Sequence, residues 1–398
     1  MRVLMVSTSY PRHAGDHAGH FVAALAEHLV RLGHVVTVLA PHEGRLPLRE
    51  MLGGIHVERF AYLPGAAERV AYGNGIVENV RRSPLAAIGL PFFAYALRRA
   101  TRRLATDADI VHVHWGPTAA LAAPWRLETP YVITLHGSDV TLARRGGIWE
   151  RLLRVALRQA AGVDVVAEEQ REYLFQDGLW SAGRPLVVIP SGVEDELVER
   201  TPIGRSDGAF EFVFVGRLLA TKGVPELLEA FIDLNARGVD ARLCLVGAGP
   251  LESVLRERAD GAGVGDRVVM RGALEHGETL EVIAASDALV LPSHGEGSPL
   301  VVAEALALGT PVIGTRVGAI PELLGAGGLV VEPGDTVGLL EAMERLAGDP
   351  ALRERLSHDG REWARTHLSW SAIACATDAF YRAAAKGSAG GANGGVRA

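Results

Sequence analysis

Short apolar runs alternate with helical patterns from one end of the chain to the other. Runs of four to six residues over 3–7, 35–40, 110–114, 131–135, 162–166 and 186–189 read as buried strands. A second series follows over 210–215, 241–246, 267–270, 288–291, 311–314 and 328–331. Between the runs the hydrophobic period changes to three and four. Phe21, Leu25, Leu29 and Leu32, for example, share one face of a helix that Gly33 stops. Such alternation predicts parallel sheets covered by helices on both faces, and two series predict two doubly wound α/β domains. The expected boundary is 191–209, SGVEDELVERTPIGRSDGA, a polar linker with Gly and Pro and no strand or helix period. The domains then occupy 1–190 and 210–367. The end, KGSAGGANGGVRA over 386–398, is low-complexity and expected to be disordered.

Composition narrows the picture. With 398 residues, 48% hydrophobic and 22% charged, the chain can fill two cores. A net charge of −7 argues against a nucleic-acid partner held by overall charge. The two cysteines, Cys244 and Cys375, lie far apart in apolar surroundings and give neither a metal spacing nor a disulfide framework, so a reducing cytosol is expected. The opening MRVLMVSTSYP reads as a strand and turn rather than a signal peptide. The most apolar stretch, within 84–97, is shorter than the ~18 residues of a membrane span and is broken by Pro91. Arg81 and Arg82 precede it, and Arg98, Arg99, Arg102 and Arg103 follow. It reads either as a packed helix with solvated arginines or as an amphipathic segment held at anionic lipid. The chain is therefore expected in the cytoplasm, with the inner face of the membrane as the second location.

In doubly wound sheets ligands bind beyond the carboxyl ends of strands, and four segments carry chemistry there. The most specific is SHGEGSPLVVAEALALGTPVIGT over 293–315. Ser298 is placed as an N-cap and Pro299 as the first residue of a helix over 300–308 that Gly309 ends. Its N-terminus is an anion site, Glu296 lies in the loop before it, eight positions from Glu304, and Glu304 is expected about two turns inside the helix. A carboxylate beside such a site accepts two hydrogen bonds from a sugar diol. In FEFVFVGRLLATKG, Arg217 and Lys222 follow a strand within six residues, a fork and a mobile point charge suited to a diphosphate. In TLHGSD, His136 follows another strand, as an acid–base group, a polar contact or a structural histidine. In VHVHW, His112 and His114 share one strand face, and nothing nearby completes a metal site. Core packing and ligand contact both remain open for that pair. Weaker signals are the half dinucleotide fingerprint LVGAGP over 245–250 and the first loop with Gly15 and Gly19, whose backbone can approach a phosphate.

In order, RLGHVVTVLAP, VHVHW, TLHGSD, VIPSGVE, VGRLLATKG, LVGAGP, VVMRGAL, SDALVLPSHGEGSPLVVAEALALGTPVIGT, VGAIPELL, VVEPGD and LSW resemble the family 4 retaining glycosyltransferases of GT-B fold, over nearly the whole chain. The resemblance implies two Rossmann-like domains facing a cleft, an acceptor domain first and a nucleotide-sugar domain second, with a last helix over 368–385 crossing back. It implies that Glu304 holds the ribose hydroxyls, Glu296 the donor sugar, and Arg217 and Lys222 the diphosphate. The helix start at Ser298, Pro299, Leu300 and Val301 completes the donor site, and the backbone of Leu274 meets the base. His136 touches the donor sugar and His114 lies near the acceptor. His136, Arg217, Lys222 and Glu296 form the implied catalytic set, with no metal and no cofactor beyond the nucleotide diphosphate sugar. The acceptor is a sugar, a lipid-linked molecule or a small molecule. The family carries adjacent glycines in the first loop. Here Gly15 and Gly19 are separated, so either amide is a candidate for the diphosphate. Two rivals keep the same pocket: a sugar-nucleotide epimerase that needs no acceptor, and a non-catalytic nucleotide-sugar binder.

Overall fold

The computed structural model describes residues 1–13, 16, 18–73, 75–122, 127–201 and 208–392, with 388–392 described by backbone alone. The chain forms two compact units, one from Met1–Ile189 together with the residues from Ile373 onward, the other from Pro190–Ala372. In the first, eight strands are β1 (Arg2–Val6), β2 (Val35–Pro41), β3 (Arg49–Leu52), β4 (Ile55–Phe60), β5 (Ile110–His114), β6 (Tyr131–Leu135), β7 (Gly162–Val165) and β8 (Leu186–Val188). Their order across the sheet is β3-β4-β2-β1-β5-β6-β7-β8. In the second unit, six strands are β9 (Phe210–Val215), β10 (Ala241–Val246), β11 (Val268–Gly272), β12 (Ala288–Leu291), β13 (Val312–Thr315) and β14 (Gly328–Val331), ordered β11-β10-β9-β12-β13-β14. All pairs are parallel except β3 with β4.

All twelve expected runs are strands, and parallel pairing explains the continuous apolar runs of the inner ones: β5, β6, β7, β12 and β13 are buried on both faces, while β8, β11 and β14 at the sheet edges are partly exposed. The two unexpected strands form a hairpin at one edge, turned by Gly53 and Gly54 at φ 55° and 83°. Arg49–Leu52 is exposed or half-buried and charged, so it carries no apolar run. Ile55 and Val57, buried, alternate with His56 and Glu58, a period-two signal that a search for buried runs passes over.

In each sheet the helices bury one face against the strands. The helix His20–Arg31 buries Val22, Leu25, Ala26 and Leu29, and the helix Val224–Ala236 buries Leu227, Leu228, Phe231 and Leu234. The 191–209 segment, expected to be a featureless linker, is not one where it is described. Val193 bridges to Ser369, and Asp195–Glu199 is a helix. A five-residue helix is too short to show a period. Residues 202–207 of that segment lie outside the described residues. The last helix, Trp370–Ala392, continues into the stretch expected to be disordered, and 393–398 lie outside the described residues. Its Tyr381 is fully buried in the first unit and bonded to His112 on β5 (2.7 Å). Its Phe380 packs so closely on Gly162 that a Cβ there would lie 2.6 Å from the ring.

Candidate active site

In the second unit the loops that follow β9, β12 and β13 stack on one another at the carboxyl edge of the sheet. The β9 loop carries Arg217 and Lys222 and ends at Gly223, whose φ is 69°. A Cβ on Gly223 would sit 1.9 Å from the carbonyl oxygen of Pro292, so only glycine lets this loop meet the β12 loop. The amide of His294 donates to the carbonyl of Thr221 (3.0 Å) and fastens the two. The β13 loop closes from the other side: Ala319 N–H donates to Gly297 (2.8 Å), and Thr315 Oγ1 donates to the carbonyl of Ser293 (2.6 Å).

This stacking places Lys222 and Glu296 together. Lys222 Nζ donates to Glu296 Oε1 at 2.6 Å, with side-chain exposures of 26% and 10%. Ser293 Oγ donates to the same oxygen (2.7 Å). Partial burial makes the pair stronger than a surface ion pair. Arg217 lies on the same loop, exposed, and its side chain has no hydrogen-bond or ion-pair partner among the described residues. The loop therefore presents one held cation and one unengaged cation.

The helix after β12 is Leu300–Ala307, with Pro299 rather than Ser298 at the N-cap. Ser298 Oγ instead accepts from the backbone N–H of Ser191 (3.1 Å), so its hydroxyl is spent across the unit and not on the helix. No side chain caps this N-terminus; the Val302 amide bonds the Pro299 carbonyl (3.1 Å), and the amides of Leu300 and Val301 have no partner among the described residues and stay available to an anion. Glu304, on the same helix, accepts from His276 Nε2 at 2.9 Å. That bond holds the His276 imidazolium above its usual range. Leu274 precedes His276 in the turn after β11, and its backbone has no hydrogen-bond partner among the described residues.

In the first unit a second group forms at the ends of β5 and β6. His114 Nδ1 lies 3.2 Å from His136 Nε2, the rings stacked at 5.4 Å and 15°. Phe21, just after Gly19, packs on His136 (4.8 Å). Gly19 is the left-handed N-cap of its helix, and a Cβ there would lie 2.1 Å from Ser9 O, so a packing demand alone accounts for it. Gly15 lies outside the described residues. The turn that carries His136 is built around Asp139. Its buried carboxylate accepts from the amides of Gly116 (3.1 Å), His136 (3.3 Å), Gly137 (3.0 Å) and Val140 (3.0 Å).

His112 belongs to the core. Nδ1 meets Tyr381 Oη (2.7 Å), Nε2 meets Thr134 Oγ1 (2.6 Å), and Thr134 Oγ1 donates to Asp164 Oδ2 (2.8 Å). Since the threonine proton goes to Asp164, its oxygen accepts from His112 Nε2–H, and Tyr381 donates to the bare Nδ1. Burial pushes His112 down to about 3 and His136 down to about 4, and holds His114 well below the usual imidazole range. All three are neutral at pH 7, so His136 offers a lone pair or an N–H rather than a charge.

A titration follows from this burial. The His112 ring should stay neutral through pH 5 in imidazole NMR spectra, while an unfolded histidine titrates near 6.5. Between those values the unfolded chain binds protons that the folded chain refuses. Stability due to His112 and His136 therefore falls as pH drops below ~6.5, at up to about 1.4 kcal/mol per pH unit for each. An ordinary titration of His112 in the folded protein would overturn the assignment.

Ser293, His276 and Asp139 were not singled out from the sequence. Ser293 and Asp139 lie inside the SHGE and HGSD segments, but their work is to hold a neighbour, which spacing alone does not reveal.

Two family models match the chain: "Glycosyltransferase Family 4" over residues 18–197 and "Glycosyl transferases group 1" over 195–363. The glycogen synthase of Mycobacterium tuberculosis is 29% identical over 97% of this chain and 96% of its own. The α-D-kanosaminyltransferase of Streptomyces kanamyceticus is 26% identical over 91% and 98%. Among solved structures, sucrose-phosphate synthase from Thermosynechococcus elongatus superposes with a TM-score of 0.73 at 23% identity, over 96% of this chain and 98% of that one. The Anabaena protein HepE in complex with UDP superposes with a TM-score of 0.68 at 17% identity, over 95% and 99%. The matched segments run nearly end to end, in the order of the motifs and on the strands just described, and the chain belongs to the family 4 glycosyltransferases of GT-B fold.

Proposed function

We propose that this enzyme moves a hexosyl group from a nucleoside diphosphate sugar to an acceptor hydroxyl with retention of anomeric configuration, without a metal, in polysaccharide, glycolipid or other glycoconjugate biosynthesis. The observation that carries the reading is the cluster at the carboxyl ends of β9 and β12: Lys222 held by Glu296, Arg217 unengaged beside it, and the uncapped start of Leu300–Ala307. Cations and helix N–H groups on one loop set are suited to a diphosphate. The matched relatives named as synthases and transferases support transfer over epimerisation or mere binding.

Mechanism follows from those charges. As the bond from the anomeric carbon to the diphosphate oxygen lengthens, negative charge grows on the leaving group and positive charge on the sugar. Arg217, Lys222 and the helix start stabilise the first. Glu296 faces the sugar ring and opposes the second. The acceptor oxygen bonds to the anomeric carbon on the face the diphosphate leaves, and its proton passes to the departing phosphate oxygen, so atoms and charge balance. Such preorganised donors act most where charge develops. His136, neutral, offers a hydrogen bond and not a charge to a sugar hydroxyl, and His114 sits beside it in the first unit.

Glu304 is assigned to the ribose diol, with His276 holding the carboxylate in place. Glu304→Ala should raise the calorimetric Kd for nucleoside diphosphate about tenfold or more, the loss of charge-assisted hydrogen bonds. Inorganic pyrophosphate, which has no ribose, should bind the variant as it binds the parent. Unchanged nucleotide affinity would remove the ribose role. The function itself is tested by a thermal-shift panel of nucleoside diphosphates and sugar nucleotides. The best donor is then incubated with acceptors and the product's anomeric proton read by NMR. Inversion, or turnover of donor alone to an epimer, would overturn the proposal.

A further inference from the structure

The helix Pro84–Ala105 in the first unit has two apolar faces, and its packing uses one. Ala86, Gly89, Phe93, Leu97, Thr101 and Ala105 are buried against the sheet. Leu85, Ile88, Phe92 and Tyr95 recur at steps of three, four and three along the opposite side and are 54%, 64%, 53% and 66% exposed. Single exposed apolar residues are ordinary, but a continuous stripe of four on a helix that already has a core face is not. Arg99 continues the same stripe by one more step, exposed.

Charge is distributed around the stripe against the trend of the whole chain. The chain carries −7 overall, yet residues 78–103 hold six arginines (81, 82, 98, 99, 102 and 103) and one carboxylate, Glu78. Arg82 pairs with Glu78, and Arg103 pairs with Glu58 from β4. Arg99, at the end of the apolar stripe, is exposed and has no ion-pair partner among the described residues. Beside it a groove of about 460 Å³ is lined by Phe60, Tyr62, Phe92, Tyr95, Arg99 and Arg103, aromatic along its wall and cationic at one end. Among the described residues no helix is long and apolar enough to cross a membrane. This one is therefore suited to lie on a surface and not to span it.

We propose that the Leu85–Ile88–Phe92–Tyr95 stripe of the first unit seats on an anionic lipid leaflet, its arginines facing the lipid phosphates. An apolar stripe sinks to the headgroup boundary while flanking arginines meet negative charge, and neither part alone holds a protein there. The chemistry selects a bilayer over a second protein because cations gather at the end of the stripe, where phosphates would lie, with no matching carboxylates on the stripe itself. None of these residues belongs to the loops proposed to bind donor, so the inference stands or falls apart from glycosyl transfer.

The full chain should sediment with vesicles of phosphatidylcholine and phosphatidylglycerol in equal parts, and stay in solution with phosphatidylcholine alone. Raising salt to about 1 M, where the screening length is about 3 Å, should release it. Arg99→Gln should weaken partition about fivefold. The double variant Ile88→Ser, Phe92→Ser should lose it at least tenfold while keeping its thermal response to nucleoside diphosphate, which shows that it is folded. Failure of the parent protein to bind anionic vesicles, or equal binding by the double variant, would overturn the proposal. So would a solution dimer that the double variant converts to monomer, since a second copy would then be what covers the stripe.

Discussion

Lys222→Ala is expected to lower kcat by a factor of about a hundred to a thousand, the usual effect of removing one donor aimed at developing charge, roughly 3–4 kcal/mol. Arg217→Ala is expected to do the same. The two should differ in stability. Lys222 is tied to Glu296 at 2.6 Å, and Glu296 is only 10% exposed. Removing the ammonium leaves that carboxylate with the Ser293 hydroxyl as its side-chain donor, and the loss should show as a lower melting temperature. Arg217 has no side-chain partner among the described residues, so its removal should leave the melting temperature where it was. Because charge grows mainly after binding, kcat should fall by more than the donor Kd rises. Near-parental rates in both variants would mean that the diphosphate lies elsewhere.

The contrast between these cations marks what the sequence could say. Arg217 and Lys222 were legible because strand, glycine and charge lie together within residues 210–222. The same holds for Glu296 and Glu304, set around one helix start. The inner strands were legible because parallel strands buried on both faces, such as β1, β5, β6, β12 and β13, are mostly apolar, whereas β3, charged and at the sheet edge, carries no such mark. What could not be read is tertiary. Lys222 and Glu296 are 74 positions apart, and only the pairing of β9 with β12 brings their loops together. His112 could be core or ligand contact until Tyr381, 269 positions away, is seen to fill its Nδ1. Ser298 has the right chemistry for an N-cap, and local propensity favours it. The amide of Ser191, 107 positions away, takes the hydroxyl instead. In each case a residue's type was visible from the sequence, and its partner was supplied by the fold.

Gly223 is the position where one added carbon should do most. Gly223→Ala meets two costs: a left-handed backbone at φ 69°, and a Cβ that would lie 1.9 Å from the Pro292 carbonyl oxygen. Gly238→Ala meets only the first, since its φ is 85° and nothing lies within 4 Å of its Cβ. The backbone term alone is about 1–2 kcal/mol. Urea unfolding should therefore show Gly238→Ala losing about that much, and Gly223→Ala losing roughly 2–4 kcal/mol. The excess measures the closeness of the two loops. If the clash is relieved by parting them, Lys222 moves away from Glu296, and turnover should fall about as far as in Lys222→Ala even where the protein remains folded. A Gly223→Ala enzyme that matches Gly238→Ala in both stability and rate would mean that close approach of the β9 and β12 loops does not build the donor site.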